Sequence, residues 1–172
     1  MMRVYFILLM CIVLLGCSNT SSGDAQPDHI QKEDGGPVIA TKQLGEYMLR
    51  FAIQKSDDHT FTFQPGLKYV GNDASHVILH SKQVFAVDIQ VSGETILPPR
   101  TTTSEGLTTN LTNEEWYTEQ VEITLTRAQI QKLTESEGTI VLNAYFQSEQ
   151  SGFVDEKRMI LNASQVLLEN KE

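Results

Sequence analysis

Cysteine is almost missing from this chain of 172 residues, and where it occurs matters as much as how little there is. Cys11 and Cys17 both lie near the start, so nothing beyond residue 17 can form a disulfide framework, a thiolate metal site or a cysteine nucleophile. Any domain downstream must hold together by core packing. Positive charge is scarce too. Lys and Arg number 13 against 22 Asp and Glu, for a net charge of −9. Such a chain is repelled by nucleic acid and by anionic lipid, which excludes nucleic-acid binding. Catalytic signatures are absent: there is no G-x-S-x-G elbow, no S-x-x-K, no H-E-x-x-H helix, no EF-hand spacing and no phosphate-cradling glycine loop. Internal repeats are missing as well. No apolar run reaches the roughly 20 residues that a membrane-crossing helix needs.

What is present begins with an address. Met1-Met2-Arg3 is followed by an uncharged run from Val4 to Leu15 and then by Gly16-Cys17, the layout of a secretory signal. Leu14-Leu15-Gly16-Cys17 resembles the lipobox of bacterial lipoproteins. The resemblance covers about the first 20 residues. It implies that residues 1–16 are a signal peptide, that the Cys17 thiol receives a diacylglyceryl group, and that a peptidase cuts before Cys17. Two or more acyl chains, palmitate among them, then give stable anchoring. The expected location is the extracytoplasmic face of a cell membrane, with the membrane itself as first partner.

Residues 17–43 read as a lipidated cysteine and a flexible tether. Ser18, Asn19, Ser21, Ser22, Gly23, Pro27, Gly35, Gly36 and Pro37 leave few apolar side chains to offset the entropy of ordering.

From 44 to 172 the dominant signal is a period of two, which predicts an all-β domain. Tyr47, Leu49, Phe51 and Ile53 alternate with Glu46, Arg50 and Gln54. Phe61 and Phe63 repeat the pattern, and Val77 with Leu79 form another apolar set between His76 and His80. Phe85, Val87, Ile89 and Val91 follow after the short link Ser81-Lys82-Gln83, which predicts a hairpin. Val121, Ile123 and Leu125 form a further strand. Ile140, Leu142, Ala144 and Phe146 form another, and large residues on its second face, Val141 and Tyr145, mark it as central. Met159 and Leu161 open the last stretch, with Val166 and Leu168 after it. One helix is expected near 127–136, where Thr126 and Gln129 have the spacing of a capping box and Gly138 ends the run. About seven short strands and one short helix resemble an immunoglobulin-like antiparallel β-sandwich, without the Cys…Trp…Cys signature of antibody domains.

Candidate chemistry is sparse. His76 and His80, four apart on a strand, are separated by about 13 Å and do not share a metal; with His29 in the tether and His59 in a turn, they read as solvated or edge histidines. The acidic groups Asp57-Asp58, Glu114-Glu115, Glu135 with Glu137, and Asp155-Glu156 read as solvated turns and helix ends. No catalytic residue, metal ligand or cofactor is assigned. Two contact surfaces remain. One is the stretch from about Ser92 to Gly106, with Pro98, Pro99 and Arg100, since long loops carry binding sites. The other is Trp116, which by parity points away from the core while Tyr117 points inward. The expected function is a non-catalytic envelope module that binds an envelope protein or a wall polymer. The alternatives are a carboxylate-based metal-dependent or hydrolytic enzyme, and a protease inhibitor.

Overall fold

The computed structural model of the chain describes residues 25–32, 34–97, 105–148 and 154–167. Cys17, the signal segment, and Pro98, Pro99 and Arg100 lie outside the described residues, as does Leu168. Two mixed-length antiparallel sheets face each other, with two short helices alongside, in a β-sandwich-like arrangement.

The first sheet carries β1 (His29–Lys32), β2 (Val38–Leu44), β3 (Tyr47–Lys55) and β4 (Thr60–Tyr69) in sequence order. β9 (Tyr117–Thr118) and β10 (Val121–Thr124) both lie along the far edge of β4. These last two are one strand in register: Tyr117 faces Leu67, Thr118 faces Gly66, and Val121 resumes opposite Phe63. The break falls at Pro65, which accepts from Glu119 N–H at 3.1 Å but has no N–H to return.

The second sheet is built around β11 (Thr139–Ser148). β12 (Val154–Asn162) pairs along one edge of it. β5 (Ser75–His80) and β6 (Phe85–Val91) share the other edge, with β8 (Leu107–Thr112) beyond β5 and β7 (Glu94–Thr95) beyond β6. The central position expected for 140–146 is thus observed.

Several expectations need correction. The stretch 17–43, expected to be tether, holds β1 and all of β2 but its last residue; β1 pairs with β2, and β2 with β3. Gly35 and Gly45 are turn residues here, with φ of +69° and +61°, conformations that cost glycine little. The sparse apolar residues suffice because Val38 and Ala40 alternate into the core at 4% and 0% exposure.

The hairpin expected at Ser81-Lys82-Gln83 does not form. β5 and β6 run in the same direction along β11: Leu79 faces Gln147, and Phe85 faces Ala144. Six steps on one side therefore match three on the other, so the link is a bulge with three extra residues. It lacks the Gly, Asn or Asp that a tight reversal needs. The true hairpin comes at Ser92-Gly93, where φ is +52° and +82° as a type I′ turn requires.

The parity of β5 is the reverse of the expectation. Ile78 is fully buried and Leu79 is 43% exposed, so His76 and His80 face inward. Val77-Ile78-Leu79 is an unbroken apolar run, and periodicity cannot say which member points in. Asp155-Glu156 lie within β12 and not in a turn.

α1 (Arg127–Glu135) starts as expected, with Thr126 and Gln129 exchanging side-chain to backbone bonds in a capping box. Its end differs in detail. Glu137 takes the left-handed residue at φ +50°, and Gly138 N–H bonds to Leu133 O at 3.0 Å, the long bond of a Schellman motif. Gly138 is required for space: a Cβ there would lie 2.5 Å from Leu133 Cδ2. α2 (Ala163–Leu167) follows β12 directly. One core runs through both sheets, from Leu49, Phe51, Phe63 and Leu67 to Ile89, Leu142, Phe146 and Leu161.

Candidate functional site

Trp116 lies one residue ahead of β9, and its indole rests on the outer face of the first sheet. The local sequence places it there. Tyr117 turns into the sandwich, against Phe85 (ring centroids 6.2 Å apart) and His80 (5.9 Å), so its neighbours in the strand must turn out. Opposite, β4 presents Gly66 between the buried Pro65 and Leu67. Glycine in a strand interior costs stability and often marks a close approach. A Cβ at Gly66 would lie 3.2 Å from Trp116 Cε3, 3.5 Å from Thr118 Cγ2 and 3.6 Å from Arg50 Cβ. Three side chains thus converge on the space where a fourth is missing.

The registers arrange this face in rows. Met48 and Lys68 are paired, with Trp116 beside Lys68, whose Nζ lies 5.8 Å from the indole centroid. Arg50, Gly66 and Thr118 form the next row. Ala52 and Gln64 form the third, with Gln120 nearby. Arg50, Gln64, Thr118, Glu119 and Gln120 enclose a hollow of about 180 Å³. Among the described residues Arg50 has no ion-pair partner, although it is only partly exposed.

Beneath this face, Glu119 fastens the two sheets together. Its Oε1 accepts from the Val84 N–H in the β5–β6 bulge at 2.7 Å, and from the Tyr117 hydroxyl at 2.9 Å. Burial, together with the Glu119 charge and the hydrogen bond to it, pushes the Tyr117 hydroxyl up to about 12. Nothing local in the sequence marked Glu119. Its clue was the parity shared with Tyr117, which put a carboxylate on an inward position.

Of the four histidines, His29 and His59 are exposed as expected, whereas His76 and His80 face inward. His80, 7% exposed, donates from Nδ1 to the Ser81 carbonyl and shares a hydrogen bond at 2.8 Å between Nε2 and the Thr109 hydroxyl. His76 stacks on Tyr69 at 5.2 Å and meets the edge of Tyr47 at 5.9 Å. His59 is indeed in a turn, where Asp57 Oδ1 accepts from the backbone N–H groups of His59 and Thr60 and is held below its ordinary range by them. Glu114 and Glu115 are exposed in the connection from β8 to β9. Among the described residues no group of three or more His, Cys, Asp or Glu side chains could hold a metal. No helix among them is long and apolar enough to cross a membrane.

No protein-family model matches the chain, and no curated protein does. Three solved structures are distantly similar. The GAE domain of yeast GGA1 is 7% identical with a TM-score of 0.38, over 75% of this chain and 98% of that one. A protein from Archaeoglobus fulgidus is 9% identical with a TM-score of 0.37, over 70% of this chain and 92% of its own. The GAE domain of GGA2p from Saccharomyces cerevisiae is 8% identical with a TM-score of 0.34, over 74% and 96%. Similarity at that level says no more than that the architectures are broadly alike.

Proposed function

We propose that the chain is a membrane-anchored extracytoplasmic lipoprotein, held by lipid on Cys17, whose immunoglobulin-like sandwich is a non-catalytic binding module for an envelope protein or wall polymer. The observation that carries the binding half is the outer face around Gly66. There the Trp116 indole takes the space beside Gly66, with Cε3 3.2 Å from where a Cβ would lie, and Lys68 Nζ lies 5.8 Å from the ring centroid. A strand glycine that makes room for a partly exposed indole weakens the strand, and this supports a contact surface there. The anchoring half rests on the lipobox resemblance of Leu14-Leu15-Gly16-Cys17 and on the rule that dual acylation anchors stably. Pro98, Pro99 and Arg100 remain a second candidate contact, in the stretch of sequence that follows β7.

Both halves have direct tests. The full chain expressed in bacteria with a clickable palmitate analogue should take up label and fractionate with membranes, and Cys17→Ser should lose both. Label retained by Cys17→Ser would refute the anchor. For binding, the solubilised full chain should retain an envelope component that Trp116→Ala or deletion of 98–103 releases. Equal retention by wild type and both variants would place the contact elsewhere.

A further inference from the structure

We propose that the free edge of β8 takes up an extended peptide from another protein as an added antiparallel strand, one whose N-terminal end is basic. The contact is separate from the outer face around Gly66, so it goes beyond the reading above. Backbone groups that point away from the sheet make an edge strand a template for another chain, and folded proteins guard such edges with charge, proline or brevity. The edges of this fold follow that rule with one exception. β12 carries Asp155, Glu156, Lys157 and Arg158 in succession. β1 is four residues long with Lys32, β10 is four with Glu122, and β7 and β9 are two residues each. The length of β6 that β7 leaves uncovered holds Asp88. β8 is the exception: Leu107-Thr108-Thr109-Asn110-Leu111-Thr112 is six residues without a charge or a proline. Among the described residues it pairs with β5 alone.

The side chains along that edge suit an apolar residue at one point. Leu79 and Leu107, each 43% exposed, are the large apolar side chains left open among the described residues. Leu107 belongs to β8 itself, and Leu79 stands directly opposite the exposed Thr108. Cross-strand Cβ atoms lie about 5 Å apart, so an aromatic residue opposite Thr108 reaches over that small side chain to Leu79. Charge sets the direction of the added strand. Ser75 pairs with Thr112, which puts the exposed carboxylates of Asp73, Glu114 and Glu115 at the Thr112 end. At the other end, where His80 pairs with Leu107, Glu105 shares the end of the ladder with Lys82. A strand antiparallel to β8 starts at the Thr112 end, so its basic residues come first. A second copy of this chain fits poorly. Two β8 strands paired about a two-fold would set Glu105 of each against Glu114 of the other, and like charges directly opposite destabilise a pair. Each chain also carries −9 overall.

The test is fluorescence anisotropy of the full chain in detergent micelles, titrated against the dye-labelled peptide Lys-Lys-Thr-Val-Thr-Thr-Phe-Val. Its Phe falls opposite Thr108 when its lysines face Asn113 and Glu114. This peptide should bind, and the version that begins Glu-Glu should bind about ten-fold or more weakly. Two further versions are N-methylated at alternate residues, one in each phase. Only every second N–H of an added strand bonds to the edge, so one phase should abolish binding and the other leave it within a few-fold. Thr108→Lys supplies the missing guard at an exposed position and should weaken binding about ten-fold or more. Its thermal transition should match wild type, which separates a lost contact from a lost fold. Equal effects of the two methylation phases would overturn strand addition. Equal binding of the Glu-Glu version would overturn the charge preference, and no binding of the Lys-Lys peptide would overturn the proposal. A dimer of the chain that Thr108→Lys dissociates would assign the edge to a second copy instead. None of these outcomes depends on Trp116 or on Cys17, so this contact and the binding-module reading fail separately.

Discussion

Glu119 offers the sharpest test of how the two sheets are joined. Its carboxylate takes two hydrogen bonds on one oxygen, from Val84 N–H at 2.7 Å and Tyr117 Oη at 2.9 Å. Val84 is fully buried, and its N–H sits in a bulge where no ladder partner stands ready. Removing the acceptor by Glu119→Ala leaves that donor unsatisfied, at about 1–3 kcal/mol. The Tyr117 hydroxyl can turn to water, so its loss adds about 0.5–1 kcal/mol. The sum is roughly 2–4 kcal/mol. For a domain of this size that lowers the thermal midpoint by roughly 5–15 °C. Glu119→Gln keeps a carbonyl oxygen that can accept both bonds, and should cost only about 1 kcal/mol because the acceptor is no longer charged. Urea unfolding of wild type and the two variants measures the contrast, and equal slopes confirm that the unfolded states are comparable. If the Ala and Gln variants are equally stable, or the Ala variant is indistinguishable from wild type, the inter-sheet fastening carries no energy and the reasoning fails.

Other consequences can be checked alongside it. Tyr117 is held protonated in the fold up to about 12, above its ordinary 10. Its contribution is therefore complete below about pH 10 and is lost as pH rises through 12. Tyr117→Phe should flatten that alkaline limb of stability, and an unchanged limb would contradict the assignment. In Glu119→Ala the hydroxyl, followed by tyrosinate absorbance, should titrate lower but not fully normally, since burial remains. Gly138→Ala should cost about 1–3 kcal/mol through the clash with Leu133, whereas Glu137→Gly should stabilise by about 1 kcal/mol by relieving a positive φ. The order of those two thermal midpoints checks the helix end. The parity of β5 is tested by Ile78→Ala, expected to cost about 2–5 kcal/mol, against Leu79→Lys, expected within about 0.5 kcal/mol of wild type. Similar losses for both would reverse it.

Much of the fold could be read from alternation alone. Tyr47 to Ile53, Phe85 to Val91 and Ile140 to Phe146 are strands with the faces that their periodicity assigns, and the doubly apolar 140–146 run is central. The capping box located α1 because its spacing encodes two specific hydrogen bonds. Failure came where local pattern is silent. β1 and β2 have few large apolar residues and are strands because β3 pairs with β2 and β2 in turn with β1, which is a tertiary cause. Val77-Ile78-Leu79 has no alternation to orient it. For the candidate site, Trp116 was visible as an outward tryptophan, but Gly66, Arg50 and Gln64 were not, since only the strand register brings them beside it. Pro98, Pro99 and Arg100 fall outside the described residues.

The bulge between β5 and β6 also governs how the chain can vary. Before it, even-numbered residues face the core, as Ile78 and His80 do; after it, odd-numbered residues do, as Phe85, Val87 and Ile89 show. Three surplus residues are an odd number, so the inward-facing positions change from even to odd across them. Each half keeps its face through its own pairing with β11, Leu79 opposite Gln147 and Phe85 opposite Ala144. Removing all three surplus residues would leave Phe85 three steps after Leu79, still opposite Ala144, in one unbroken strand. Residues 81–84 are therefore where the chain can absorb a change of length that the ladders on either side cannot.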